Sequence, residues 1–176
     1  MTNQPTAALQ LVAKEILHIS DIVKDAVSNT IEIVKTEDIS QLEGLLEKGK
    51  NIKALTEKTT EYLALLFSSG TMTEQQAAQT ASLMYILSDV ERMGSLSVEI
   101  AKCIQEKEQN NYKYTPEAMD ELQKSLRTLE KMFIDSMKAL QGDKSVQIDK
   151  MVKRKDKIMD LDIKMRKAHL QRVNKG

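Results

Sequence analysis

Asp89, Glu91 and Arg92 lie close together within residues 82–99, SLMYILSDVERMGSLSVE, an otherwise apolar and helix-periodic run. Two carboxylates and a guanidinium in such a setting are the raw material for cation binding, for acid–base chemistry or for an ion pair. Helical spacing narrows the choice. At roughly 100° per residue, Asp89 and Glu91 fall on the two borders of the apolar face, roughly 200° apart, so this helix alone cannot aim both at one ion. The plainer reading is a pair of boundary carboxylates, with Arg92 as a surface partner at i+3 from Asp89, worth about a few tenths of a kcal/mol. No enzyme constellation stands out elsewhere in the chain. His18 reads as a flanking or solvent-facing side chain rather than a ligand, because no second ligand is near it.

The elements that carry these residues are helices. Leu9, Val12, Ile16, Ile19, Val23, Ala26, Thr30 and Ile33 recur at alternating spacings of three and four, the seam of a long amphipathic helix, with Thr6 as its expected cap. Thr36 followed by Glu37 and Asp38 predicts the start of a second helix. Its seam runs Leu42, Leu45, Gly49, Ile52, Thr56, Thr59, Leu63 and Leu66, with a small, weakly polar middle that admits close approach of another helix or costs stability through Gly49. Gly70 closes that helix, and Thr73 with Gln76 has the spacing of a capping box for the third.

In the third helix Leu83, Ile86, Leu87, Val90, Met93, Ile100, Ala101 and Ile104 share one face, with Gly94 and Ser97 inside it; Ser88, Arg92, Ser95, Glu99 and Lys102 fall opposite. Residues 105–113 read as a frayed end and linker, and Thr115-Pro116-Glu117 as a fresh helix start. A fourth helix carries Met119, Leu122, Leu126, Leu129, Phe133 and Leu140 and stops at Gly142. A fifth, from about Ser145, shows Ile148, Met151, Val152, Ile158, Leu161, Met165 and Ala168, with Lys155 interrupting the stripe.

Composition agrees with an all-α, antiparallel up-down bundle of about five long helices. The 176 residues include 2 Pro, 6 Gly, 3% aromatics and no Trp, too little material for a turn-rich sheet protein. The ten methionines read as core filler in an aromatic-poor bundle. One cysteine, Cys103, and two histidines exclude an intrachain disulfide framework and an ordinary structural zinc cluster, and fit a reducing compartment. No apolar run reaches the roughly twenty residues of a membrane span and no leader pattern opens the chain. Overall charge is balanced at 26 against 26, yet residues 150–176 are net +7 and residues 1–149 net −7. That basic end reads as a solvated face rather than a nucleic-acid or membrane surface, since Asp156, Asp160 and Asp162 interleave it and aromatics for base stacking are lacking.

Asp89-Val90-Glu91-Arg92-Met93-Gly94-Ser95 resembles the D-x-E-R-I-G-D segment of the phosphate-uptake regulator (PhoU) family. Pro5-Thr6-Ala7-Ala8-Leu9 with Lys14-Glu15-Ile16-Leu17, then Thr60-Glu61-Tyr62-Leu63, and finally Arg166-Lys167-Ala168-His169-Leu170-Gln171-Arg172 with Gly176 look like one branch of it. That branch is the PhoU-like domain in the cytoplasmic part of bacterial sodium/phosphate cotransporters. The resemblance implies two repeats of an antiparallel three-helix bundle: a polar tail over 1–5, a first repeat over 6–110 and a second over 111–176, incomplete because a sixth helix is absent. An incomplete repeat leaves an apolar face for a second copy to cover, hence a possible homodimer.

Family members can bind metal clusters through E/D-x-x-x-D motifs, whose carboxylates one turn apart point the same way. Here the matching positions look like Gly49 and Lys53 on the second helix and Lys155 and Met159 on the fifth, and Ser95 replaces the last acid of the third-helix motif. Asp156 and Asp160 stand four apart but shifted by one from that register. The expectation is therefore no metal and no cofactor, with Asp89, Glu91 and Arg92 matched as an interhelix polar tie.

The function so implied is non-enzymatic: a cytoplasmic regulatory domain at the inner face of the membrane, acting by protein contacts on phosphate transport or phosphate signalling. Its partners would be a membrane transporter core, belonging to the same native polypeptide, or phosphate-signalling proteins, and no nucleic acid. The competing readings are a soluble helical scaffold or homodimerisation module without a phosphate role and, behind it, a metal-dependent enzyme or storage bundle.

Overall fold

A computed structural model describes residues 4–141. The seams become four helices: α1 (Gln4–Thr36), α2 (Leu42–Ser68), α3 (Glu74–Asn110) and α4 (Pro116–Leu140), with a single 3-10 turn (Ile39–Gln41) before α2. No strand occurs among the described residues, so the all-α bundle holds, with four described helices against about five expected. The fifth helix from about Ser145, the stop at Gly142, and Lys155, Asp156, Met159, Asp160 and residues 166–172 lie outside the described residues.

The chain runs up, down, up, down. Three polar contacts show that α1 and α3 run parallel: Gln76 Nε2 donates to Thr6 Oγ1 at 3.0 Å, Thr30 Oγ1 to the Ser97 carbonyl at 3.2 Å, and Lys107 Nζ to Glu37. The helix α3 touches all three others, which makes it the central element. Its expected apolar face is buried throughout, Gly94 and Ser97 included, and meets the buried seams of α1 and α2 in one core that Leu122, Leu129 and Met132 of α4 also enter.

The α2–α3 crossing is built on two reciprocal small–large contacts. A Cβ at Gly94 would lie 3.0 Å from Ile52 Cγ2, and one at Gly49 would lie 2.7 Å from Val98 Cγ2. Each helix thus seats a branched side chain on the bare backbone of the other. Of the two meanings open to Gly49, close approach is the one realised.

Buried hydroxyls, that of Ser136 apart, are satisfied within their own helices. Ser20, Thr56, Thr59, Thr80, Ser97 and Ser125 each donate to the carbonyl four residues back, which spares the interior an unpaired polar group. Thr30 does the same to Ala26 and also reaches Ser97 across the α1–α3 interface. Replacing Thr30 with valine keeps the shape and removes this crossing bond. The expected loss is about 1 kcal/mol in urea unfolding, and an unchanged midpoint would show that the bond contributes nothing in solution.

Helix ends mostly follow the sequence. Thr73 and Gln76 form the reciprocal capping box, Thr115 accepts from the Ala118 amide with Pro116 at the first helical position, and Gly70 turns the chain at φ +69°. Two starts differ. Thr6 lies inside α1, which is already helical at Gln4, and its hydroxyl serves Gln76 instead of a cap. Thr36 ends α1 rather than opening α2: its hydroxyl donates back to the Glu32 carbonyl, Glu37 takes the left-handed conformation at φ 57°, and Asp38 does the capping by accepting from the Ser40 amide. The same Thr36 oxygen also accepts from the Asp38 amide at 3.2 Å, so it holds the corner between the helices and leaves the capping of the next turn to Asp38.

Candidate functional site

The helix α3 carries Asp89, Glu91 and Arg92 through its middle. Asp89 is buried at 5% exposure, and Glu91 and Arg92 are half-buried. The boundary position read from the helical wheel is thus right for the angle and incomplete for the environment. The face expected to be polar is only partly wet: Ser95 and Lys102 are exposed, while Ser88, Arg92 and Glu99 are half-buried.

The ion pairs joining described residues are Lys50–Glu47, Lys107–Glu37 and Lys124–Asp120, so Arg92 is not the i+3 ion partner of Asp89. Instead the Arg92 Nε is buried without a hydrogen-bond partner, and so is the Ser136 hydroxyl on α4. With α3 and α4 folded antiparallel about the turn at 111–115, Arg92 and Ser136 each lie about twenty residues from that turn, at one level of the hairpin.

Perturbed acids and bases mark local structure. Asp38 is held below the usual carboxylate range by the hydrogen bond from the Ser40 amide. Asp120 is lowered, and Lys124 raised, by the hydrogen bond between them at 2.8 Å. All three groups are exposed, one capping a turn and two forming an i,i+4 pair.

Among the described residues no three His, Cys, Asp or Glu side chains gather in a way that would hold a metal ion. The positions that resemble the metal motif do not fit one: Gly49 offers no donor and lies against Val98, Lys53 is an exposed cation, and Ser95 is an exposed hydroxyl. His18 is exposed, as read from its place beside the seam, and Cys103 is half-buried and outside any disulfide.

One polar constellation was missed from sequence. Lys107, whose side chain is 13% exposed, donates to Glu37 and lies 5.8 Å from the centroid of the Tyr114 ring, while the Tyr114 hydroxyl donates to the Cys103 carbonyl at 2.5 Å. It fastens the α1–α2 corner, the end of α3 and the α3–α4 turn to one another. No local signal in the sequence could have found it, since Glu37 and Lys107 stand seventy positions apart.

The family model for the PhoU domain matches residues 16–104, just over half of the chain. The chain belongs to the PhoU family. No curated protein and no solved structure matches it. The matched span begins at buried Ile16 in α1 and ends at buried Ile104 in α3, so it takes in nearly the whole α1–α3 bundle together with Asp89, Glu91 and Arg92. Membership gives a regulatory role in phosphate homeostasis, in a family whose members are not catalysts. No helix among the described residues is long and apolar enough to cross a membrane.

Proposed function

We infer that this PhoU domain is a non-enzymatic, cytoplasmic regulator that modulates phosphate transport, in the setting of sodium/phosphate cotransport, or phosphate signalling. The observation that carries the reading is the PhoU match laid over α1–α3. What supports action by protein contact is the character of that bundle, in which polar groups serve as caps, as i−4 bonds and as ties between helices. Asp89, Glu91 and Arg92 act in this reading as an interhelix polar tie within α3 and its neighbours. The cotransporter setting rests on the likeness of Pro5-Thr6-Ala7-Ala8-Leu9, Thr60-Glu61-Tyr62-Leu63 and the segment ending at Arg172 to that branch. It makes a transporter core at the inner face of the membrane, or a phosphate-signalling protein, the partner.

The test is radiolabelled phosphate uptake by host cells with and without the coding region for residues 4–141, at high and low external phosphate and with sodium or potassium as the cation. Loss of the domain should change the phosphate dependence of uptake several-fold, and confinement of the change to sodium medium assigns it to cotransport. Uptake and phosphate-responsive expression that stay the same in every condition would leave the scaffold reading in its place.

A further inference from the structure

One end of the bundle is almost free of charge. The start of α1, the end of α2 and the start of α3 meet there, tied by the bond from Gln76 to Thr6. Residues 4–13 and 59–88 include Glu61 and Glu74 as their only charged side chains, although 30% of the whole chain is charged. Large apolar side chains are nevertheless left in water at that end: Leu11 is 62% exposed, Leu65 70%, Phe67 56% and Tyr62 43%. The contact between Asn29 and Lys48 shows which of them share a side. The Asn29 amide, with its oxygen turned to α2, accepts from Lys48 Nζ at 2.8 Å, which marks the outer seam between α1 and α2. About eighteen residues make five whole helical turns, so a step of that length back from Asn29 and forward from Lys48 reaches Leu11 and Leu66 on the same seam. Tyr62 lies one turn from Leu66, and Leu65 stands beside it. Leu66 packs on the core. Leu11, Tyr62 and Leu65 are thus the exposed apolar part of this seam, and Phe67 follows at the end of α2.

We propose that the charge-poor end of the α1–α2 seam docks a second copy of this chain across a two-fold axis. Charge favours this occupant. In an isologous contact each patch meets the same patch of the other copy, so a charged surface sets like charges against one another, and an uncharged one avoids that cost. The lack of Lys and Arg over 59–88 tells against an anionic lipid surface, which is held by such residues. Leucines with Tyr and Phe in uncharged surroundings are instead the composition of the buried centre of a protein interface. Area favours it as well. At about 200 Å² for each large side chain, the exposed parts of Leu11, Tyr62, Leu65 and Phe67 come to on the order of 450 Å², the larger part of the roughly 800 Å² that each partner gives to a stable interface. The surface lies on α1 and α2, so it does not use the face that an incomplete second repeat leaves, and it does not depend on the phosphate role.

The test is sedimentation equilibrium of the full chain over a range of concentrations, beside the double variant Leu11→Glu, Leu65→Glu and the control Ile134→Glu, an equally exposed apolar residue on α4. The unaltered chain and the control should reach the mass of two chains at roughly 100 μM. In the double variant, which sets carboxylates against carboxylates across the axis, the dissociation constant should rise at least about a hundredfold. Both replaced side chains stand mostly in water, so the fold should be kept, and an unchanged urea midpoint checks that the loss belongs to the contact. A chain that stays monomeric at every concentration overturns the proposal, and flotation of that monomer with phosphatidylcholine vesicles, lost in the double variant, would give the surface to lipid. A dimer that the double variant leaves as tight as before would place the contact elsewhere and overturn it equally.

Discussion

Replacing Gly94 with leucine is expected to destabilise the bundle by about 3 kcal/mol, at the upper end of the usual cost of overpacking a core. The overlap begins at the first added atom: a Cβ at this position already stands 3.0 Å from Ile52 Cγ2 and 3.1 Å from Ile52 Cδ1. Ile52 is 1% exposed and β-branched, so it has neither open space to move into nor a second easy rotamer. The added bulk therefore has to push α2 off α3. Alanine at Gly94 is the more informative change, because about 1 kcal/mol of helix propensity is gained while the same contact is strained. Truncating Ile52 to alanine should cost about 2–5 kcal/mol by itself, and in that background Gly94→Ala should become stabilising. A double-mutant cycle in urea should return a coupling on the order of 1–3 kcal/mol. Additive effects would mean that the two helices do not meet at this point.

Leu129→Ala is expected to cost on the order of 3 kcal/mol, since it empties a fully buried position in the α4 seam. Where the loss appears matters more than its size. The PhoU match stops at residue 104, yet the core continues through Leu122, Leu129 and Met132 and joins the seams of α1, α2 and α3. If α4 is part of the same cooperative unit, the midpoint for α1–α3 falls together with that for α4, as read by hydrogen exchange along the chain. Faster exchange confined to residues 116–140, with α1–α3 unchanged, would make α4 a separately opening unit.

The seams were legible because burial on one helix face writes a spacing of three and four into the chain. Ile16, Ile19, Val23, Ile52, Val90 and Met93 are each placed by it and each essentially inaccessible. Caps were legible where one side chain has one job, as at Thr73 and Thr115. Thr36 shows how that fails: its hydroxyl donates back to the Glu32 carbonyl and accepts from the Asp38 amide, so it serves the corner while Asp38 caps the next turn. Asp89 shows the other kind of failure. The helical wheel gives its angle on α3, but its burial is a tertiary outcome, and no spacing within α3 carries that information. The Lys107–Glu37–Tyr114 tie is of the same kind, formed between stretches that share no periodicity.

The self-satisfied hydroxyls of the interior bear on how such a domain can respond to a partner. Where polar groups answer to their own helix, the contacts between helices are almost wholly apolar, and apolar surfaces shear past one another without a fixed sequence of bonds to break. Between the two ends of the α1–α3 interface, the Thr30–Ser97 bond is a hydrogen bond that resists such sliding, while the seating of Ile52 on Gly94 and of Val98 on Gly49 indexes α2 against α3 in steps of a helical turn. The bundle is built like a stack of smooth rods with a few detents, so its softest response to a push is a displacement along the helix axes rather than a change of secondary structure.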